Sequence, residues 1–281
     1  MRIIEPIQEM QSWSEAERWK GKRVALVPTM GSLHEGHLSL VREGRKRGDQ
    51  LVVSIFVNPT QFAPHEDYAS YPRQPDHDRR ALEKEGVDVL FQPSVEEMYP
   101  EGYQTYIEVE RLSPLLCGAS RPGHFRGVTT VVAKLFNIVR PHVAVFGSKD
   151  YQQLQILRRM AEELNLGVEV IASPIVREKD GLAMSSRNAY LNQEERQAAR
   201  SLPRSLKRAE WLVHQGERDG ERLLDAVRTE IGKEPLVRIE YVRLCDTETL
   251  VDIQRINSSG LLALAVRIGK ARLIDNTILK A

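Results

Sequence analysis

Short runs of β-branched and apolar residues alternate with longer helical patterns over residues 24–174. This alternation is typical of βαβ units, in which a helix connects one parallel strand to the next. The first part of the chain is therefore predicted to be an α/β domain built on a parallel sheet. The predicted strands are 24–27, 51–57, 88–91, 143–146 and 168–172, and the predicted helices are near 37–47, 75–85, 128–139 and 151–165.

The pattern changes at about residue 176. Charged helical stretches at 193–215 and 217–231 precede alternating apolar and polar segments at 237–244 and 261–268, which indicates a smaller α+β domain. A chain of 281 residues is long enough for two domains. We predict a boundary near Pro174, with domains of residues 1–175 and 176–281.

Composition excludes several classes of function. A formal net charge of +1 provides no field that would attract a polyanion, so nucleic acid is not expected as a partner. Cys117 and Cys245 are far apart and lack the spacing of a zinc site or a disulfide framework. No apolar run approaches the ~18 residues of a membrane span. We expect a cytoplasmic protein that acts on small molecules, without a membrane partner.

The segment PTMGSLHEGH, residues 28–37, follows the first predicted strand and opens the first long helix. At the carboxyl end of a parallel strand the chain leaves the sheet over a crevice, and the next helix N-terminus offers free N–H groups to phosphate. Gly31 and Gly36 allow the backbone to approach a nucleotide closely. His34 and His37 can face a triphosphate together and donate hydrogen bonds as charge develops on its oxygens.

Other interpretations of this segment stay open. A zinc hydrolase could use His34, Glu35 and His37, although a helical zinc pair prefers the i, i+4 spacing and the spacing here is i, i+3. The two histidines could also be unrelated structural residues. The segment differs from the GxGxxG fingerprint, which argues against a dehydrogenase.

The HxGH sequence after a first strand is similar to the HIGH signature of the nucleotidylyl transferase superfamily. Further segments resemble the successive motifs of the pantothenate synthetase family: IFVNPTQF at 55–62, RPGHFRG at 121–127, FGSKDYQQ at 146–153, MSSRN at 184–188 and ARLIDN at 271–276. The resemblance implies a Rossmann-like parallel sheet with an HxGH motif in a catalytic domain, residues 1–175, which binds nucleotide and pantoate. It also implies a smaller α+β lid domain at residues 176–281.

The resemblance implies an ATP-dependent ligase of pantothenate biosynthesis, on the pathway to coenzyme A. Pantoate would be joined to β-alanine through a pantoyl adenylate, with release of AMP and pyrophosphate. Mg²⁺ would accompany ATP, and the implied assembly is a homodimer. Another HxGH nucleotidylyl transferase that acts on a small acid is the alternative. An RNA-binding module with a synthetase-like fold is a further alternative, which the charge balance opposes.

The resemblance assigns catalytic roles to His34, His37 and Lys149. Lys149 lies just past a predicted buried strand, where an ammonium can neutralise phosphate oxygens; a surface lysine is the alternative. Ser148 departs from the family's usual glutamate, which puts only a peripheral contact in doubt. The implied ATP-binding residues are Met30, Gly31, Ser32, Leu33, His34, Glu35, Gly36, His37, Gly147, Ser148, Lys149, Asp150, Val176, Met184, Ser185, Ser186 and Arg187.

The resemblance implies that Met184, Ser185, Ser186 and Arg187 occupy the place of the superfamily's mobile KMSKS-like loop. Two hydroxyl groups and a guanidinium are suited to gripping a departing pyrophosphate. A polar turn is the alternative interpretation of the same residues.

Gln61 and Gln153 are implied to hold pantoate, since an amide both donates and accepts hydrogen bonds. Arg121, in the RPGH loop, is an implied substrate contact, and His124 is a further candidate. Acidic residues at the start of the helix near 75–85 are typical of helix capping. Asp78 among them remains a possible magnesium ligand.

Overall fold

The computed structural model describes all residues, 1–281. The chain forms two compact units. None of its helices combines the length and apolar character needed to cross a membrane. The first unit comprises Met1–Ser113, Arg121–Ser148 and Gln153–Pro174, and the second comprises Pro114–Ser120, Lys149–Gln152 and Ile175–Ala281.

The first unit is built on a six-stranded parallel sheet with the strand order β1-β4-β3-β2-β5-β6. Its strands are β1 (Arg2–Ile4), β2 (Val24–Thr29), β3 (Gln50–Ile55), β4 (Val89–Phe91), β5 (Val143–Gly147) and β6 (Glu169–Ser173). The helices up to this point of the chain are α1 (Ile7–Trp19), α2 (Glu35–Arg47), α3 (Pro75–Lys84), α4 (Val95–Met98), α5 (Leu116–Ser120, in the second unit), α6 (His124–Val139) and α7 (Tyr151–Glu163).

The central strands of this sheet are buried on both faces, which is why they read as continuous apolar runs in the sequence. Side chains of β2, β3 and β5 form one core with α2 and α3. Because the strands are parallel, their carboxyl ends lie at the same edge. Thr29 pairs with Ile55 there, and Gly147 pairs with Ser173.

The second unit contains helices and a three-stranded antiparallel sheet with the order β7-β8-β9. Leucine, isoleucine and valine side chains from both layers form its core. Its remaining elements are α8 (Gln193–Ala199), α9 (Ser201–His214), α10 (Gly220–Gly232), β7 (Val237–Cys245), β8 (Ser259–Ile268) and β9 (Ala271–Lys280).

The predicted fold class, a Rossmann-like parallel sheet plus a smaller α+β region, is confirmed. Five elements were not predicted, namely β1, α1, α4, α5 and β9. The helix predicted at 193–215 is divided into α8 and α9 at Arg200. The physical reason is Pro203, which has no N–H to donate to the carbonyl of Ala199.

Helix α6 approaches the 3-10 turn Pro59–Gln61 most closely at Gly127. A Cβ at this position would lie 2.7 Å from the Cα of Gln61 and closer still to the carbonyl group of Thr60. The obstacle is backbone, which cannot rotate away as the end of a side chain can. Gly127 therefore allows α6 to pack against the turn that carries Gln61.

We expect Gly127→Ala to lower the melting temperature by several degrees. Overpacking costs about 1–3 kcal/mol, which exceeds the roughly 1 kcal/mol that alanine gains over glycine within a helix. The control is Gly232→Ala in α10, where an added Cβ meets nothing within 4 Å. Calorimetric melts of both variants test the difference. An unchanged melting temperature for Gly127→Ala would contradict the close approach.

Candidate functional site

His34 and His37 lie where β2 leads into α2. His34 is the N-cap of α2, and its Nδ1 accepts a hydrogen bond from the N–H of Gly36 at 3.1 Å. Nδ1 of His37 accepts one from the N–H of His34 at 3.3 Å. Because Nδ1 accepts in both rings, each neutral imidazole carries its proton on Nε2. The ring centroids are 4.0 Å apart, so the helix start presents two N–H donors side by side.

Glu35, the first residue of α2, forms an ion pair with Arg42, and Arg42 also contacts Glu85 at 2.6 Å. The hydrogen bond from Arg42 is the main reason that the pKa of Glu35 lies below its ordinary value. The carboxylate is thereby kept ionised near the positive end of the helix dipole. In the structure Glu35 stabilises the start of α2. The ATP contact of Glu35 stays a prediction.

The turn before His34 is held from α3. Gly31 and Ser32 both have positive φ angles, 82° and 50°. Asp78 is 2% exposed, and its two oxygens accept hydrogen bonds from the N–H groups of Ser32 and Leu33, both at 2.8 Å. The segment of residues 30–33 that was predicted to bind ATP is therefore a fixed loop at the carboxyl end of β2.

The same hydrogen bonds argue against the prediction that Asp78 is a possible magnesium ligand. Both of its oxygens already accept backbone N–H groups, and His77 Nδ1 lies 3.4 Å from Oδ1. No cluster of three or more His, Cys, Asp or Glu side chains could hold a metal ion. The side chains therefore do not fit a resident magnesium site at Asp78, because the loop uses its carboxylate.

Gln61 lies in the 3-10 turn after β3, next to the loop that follows β2. Its Oε1 accepts a hydrogen bond from Asn58 Nδ2 at 3.0 Å, and its Nε2 lies 3.2 Å from the sulfur of Met30. Asn58 is 1% exposed and also binds the carbonyl of Gly127 and the hydroxyl of Tyr99. The amide of Gln61 is thus held in a defined orientation.

Arg121 and His124 hold the backbone of Gln61. The guanidinium forms two hydrogen bonds with Glu66, at 2.5 and 2.7 Å, and a third with the Gln61 carbonyl at 3.3 Å. His124 Nδ1 lies 2.8 Å from the same carbonyl. Burial alone would raise the pKa of Glu66, but the hydrogen bond and charge of Arg121 lower it. The sequence predicts a substrate contact for Arg121, whereas the structure gives its guanidinium these protein partners.

The other predicted residues of the first unit follow β5. Gly147 ends that strand beside Ser173 of β6, and Ser148 comes next. Gln153 is half-buried in the first turn of α7. Ligand roles for Gly147, Ser148 and Gln153 stay predictions.

Lys149 belongs to the second unit and directly follows Ser148. Its side chain is 21% exposed, and its ammonium lies 3.7 Å from the carboxylate of Asp150. Its backbone carbonyl accepts a hydrogen bond from Asn276 Nδ2 at 2.9 Å. The position of Lys149 is therefore fixed through its main chain, while its ammonium is partly accessible.

Residues 176–184 form a narrow hairpin, and a 3-10 turn, Ser186–Tyr190, follows it. The N–H of Met184 donates to the carbonyl of Val176 at 3.0 Å, and Arg177 pairs with Ala183 in a short β-bridge. Ser185 caps the turn by accepting a hydrogen bond from the N–H of Arg187. The structure thus brings together Val176, a predicted ATP contact, and Met184, at the start of the predicted phosphate-gripping loop.

Two adjacent residues of β9 bind the hairpin of Val176 and the backbone of Lys149. Asp275 is almost fully buried and binds the guanidinium of Arg177 at 2.7 and 3.0 Å. Burial raises the pKa of Asp275, and the hydrogen bond and charge of Arg177 oppose that rise. Asn276 binds the carbonyl of Lys149. A single strand therefore connects the hairpin of Val176 with the backbone of Lys149.

Sequence reasoning missed the supporting roles of several polar residues. Gln152 clamps the 114–120 segment, since its Nε2 donates to the carbonyl of Leu115 at 2.6 Å and its Oε1 accepts from the N–H of Cys117 at 2.9 Å. The supporting roles of Asn58, Glu66, Asp275 and Asn276 were missed as well. The only signal in the sequence for such a role is a polar residue at a position where the pattern predicts burial.

Comparison with known proteins gives consistent matches over the whole chain. The family model described as pantoate-beta-alanine ligase matches residues 2–278. A relative named pantothenate synthetase, from Syntrophotalea carbinolica, is 58% identical over 276 residues, which is 98% of each chain.

Solved structures also match. A pantothenate synthetase from Thermus thermophilus has a TM-score of 0.93 at 45% identity and covers 99% of both chains. A pantoate-beta-alanine ligase from Francisella tularensis, complexed with beta-gamma ATP and beta-alanine, has a TM-score of 0.82 at 34% identity, covering 99% of this chain and 97% of that one. The chain therefore belongs to the pantoate-beta-alanine ligase family.

Proposed function

We propose that this chain joins pantoate to β-alanine and converts ATP to AMP and pyrophosphate. Membership of the family over residues 2–278 supports this activity. The geometric observation that carries the proposal is the pair of histidines at the start of α2, whose Nδ1 atoms both accept backbone N–H groups. Such a pair presents Nε2–H donors beside a helix N-terminus, an arrangement suited to an anionic phosphate chain.

In the first step a carboxylate oxygen of pantoate attacks the α-phosphorus of ATP. The bond from that phosphorus to the bridging oxygen breaks, which gives pantoyl adenylate and pyrophosphate. His34, His37 and Lys149 stabilise the charge that develops on the phosphate oxygens, and Ser185, Ser186 and Arg187 bind the departing pyrophosphate. No protein nucleophile is needed, because positioning and electrostatic stabilisation supply the acceleration.

In the second step the amine of β-alanine attacks the acyl carbon of the adenylate. The acyl–oxygen bond breaks, AMP leaves and the ammonium formed loses a proton. Gln61 and Gln153 bind the hydroxyl and carboxyl oxygens of pantoate, since an amide offers both donors and an acceptor. The hydrogen bonds around Gln61 support this assignment, because they fix its orientation before the ligand arrives.

The remaining assignments follow from the same proposal. The region of residues 1–175 binds nucleotide and pantoate, and residues 176–281 act as a lid domain. Magnesium enters as part of the Mg-ATP substrate, consistent with the ion's habit of binding mainly to phosphates and water. We further propose a cytoplasmic homodimer, which sedimentation of the purified protein would test.

Pantoate alone is expected to support exchange of labelled pyrophosphate into ATP, because the first step is reversible and does not involve β-alanine. Addition of β-alanine should then yield AMP and pantothenate. Acetate in place of pantoate is the control. Exchange that requires β-alanine would contradict the adenylate mechanism, and exchange with another small acid but not with pantoate would favour a different HxGH transferase.

Lys149→Ala is expected to slow adenylation by about 10²–10³-fold, the usual effect of removing one preorganised charge-stabilising donor. Lys149→Arg should recover little of this rate, because a planar guanidinium does not replace a compact ammonium. Single-turnover release of pyrophosphate measures the rate. The control is Lys46→Ala, at a side chain that is 71% exposed.

Thermal melts distinguish a catalytic lysine from a structural one. The Ala variant should keep the wild-type melting temperature, because the main-chain carbonyl that binds Asn276 is retained. A rate close to that of wild type would remove Lys149 from the mechanism.

Gln61→Ala and Gln153→Ala are each expected to weaken pantoate binding by about 1–3 kcal/mol, the usual cost of leaving a buried hydrogen-bonding group unpaired. ATP affinity should change much less. Calorimetric titration with each ligand measures both effects, and Gln11→Ala, at an exposed position of α1, is the control. Equal weakening for both ligands would argue against a pantoate role.

A further inference from the structure

We propose that Asp78 is a positioning residue for the adenylation step, an inference that rests on the proposed function. Asp78 lies in the first turn of α3, but the N-cap of that helix is Gln74 and no side chain caps it. The Asp78 carboxylate instead binds the N–H groups of Ser32 and Leu33, 46 and 45 residues away in the chain. It therefore acts on the loop before His34 and not on its own helix.

This loop has a conformation that needs external support. The backbone of Gly31 and that of Ser32 both lie in the left-handed region of φ. Residues with a side chain, such as Ser32, seldom adopt this conformation. The turn directs two successive N–H groups into a buried space, where an unpaired N–H would be costly. Each oxygen of Asp78 satisfies one of them.

A second contact holds the loop at its other end. The hydroxyl of Thr29 donates to the carbonyl of Ser54 at 2.9 Å and accepts from the N–H of Gly31 at 3.3 Å. The space is tight as well, since a Cβ on Gly31 would lie 3.1 Å from both the Asp78 carboxylate and the Ile55 side chain. The loop between β2 and α2 is thus fixed by β3 on one side and by α3 on the other.

The chain passes directly from this loop to the histidine pair. Leu33 is 4% exposed and packs in the core of the sheet, and the next residue is the N-cap His34. A displacement of the Ser32 and Leu33 backbone would therefore move His34, whose N–H orients the ring of His37. Misplacing catalytic groups by about 1 Å can cost about 10²-fold in rate.

Asp78→Asn tests this role, because it preserves the shape of the side chain. Its amide NH₂ would face one of the two N–H groups, so one hydrogen bond is lost. We expect kcat for pantoate-dependent pyrophosphate exchange to fall about 10²-fold, with a KM for pantoate within about threefold of wild type. Asp76→Asn, two residues earlier on the exposed side of α3, is the matched control and should keep wild-type kinetics.

The outcomes separate this inference from the proposed function. A wild-type protein without exchange activity refutes the proposed function. An active wild type with an equally active Asp78→Asn variant refutes the positioning role, as does a loss confined to KM. If Asp78→Asn does not fold, Gly31→Ala becomes decisive, since its Cβ would press against the same carboxylate. Wild-type kcat in that variant would overturn the inference.

Discussion

The parallel pairing of β2, β3 and β5 is the constraint on which the first unit depends. These strands are buried on both faces and run in the same direction. Their carboxyl ends therefore lie at the same edge of the sheet, where a loop follows each strand. The register that sets Thr29 opposite Ile55 brings the loops that follow them together. The contact between Met30 and Gln61 is a direct consequence. Backbone pairing thus brings Met30, in the loop that leads to the histidines, into contact with Gln61, which is predicted to bind pantoate.

In the second unit, the buried carboxylate of Asp275 on β9 pairs with the partly exposed guanidinium of Arg177. Pairs of this kind often contribute little net stability, since desolvation offsets the attraction between the charges. Removing one partner is nevertheless costly, because it leaves a buried charge without compensation. The carboxylate of Asp275 binds Arg177 and also accepts the N–H of Asn276, whose side chain binds the carbonyl of Lys149. A shift of β9 along its neighbour would disturb the hairpin of Val176 and the lysine backbone together.

Elements with a strong hydrophobic period were predictable, and those defined by distant partners were not. The apolar run in β2 and the HxGH segment after it identify a strand, a loop and a helix from the sequence alone. Strand β1 has only three residues, and α1 buries little besides Met10 and Ser14, so neither has a clear pattern. In β9 the adjacent polar residues Asp275 and Asn276 interrupt the alternation that is typical of a strand. Asp275 contacts Arg177, 98 residues away, and Asn276 contacts Lys149, 127 residues away. Local reasoning could not provide either contact.

The same limit explains why the sequence placed the histidines at the start of a helix but did not predict the protein partners of the charged residues around them. The proposed ligands are anionic, so a carboxylate facing them would be repulsive. In the first unit the carboxylates of this region have other partners: Arg42 pairs with Glu35, Arg121 with Glu66, and two backbone N–H groups with Asp78. Each pairing removes an acceptor from the ligand's surroundings and at the same time fixes a piece of backbone. In the proposed mechanism the substrate then meets oriented donors, and such preorganisation allows a site without a protein nucleophile to accelerate adenylation.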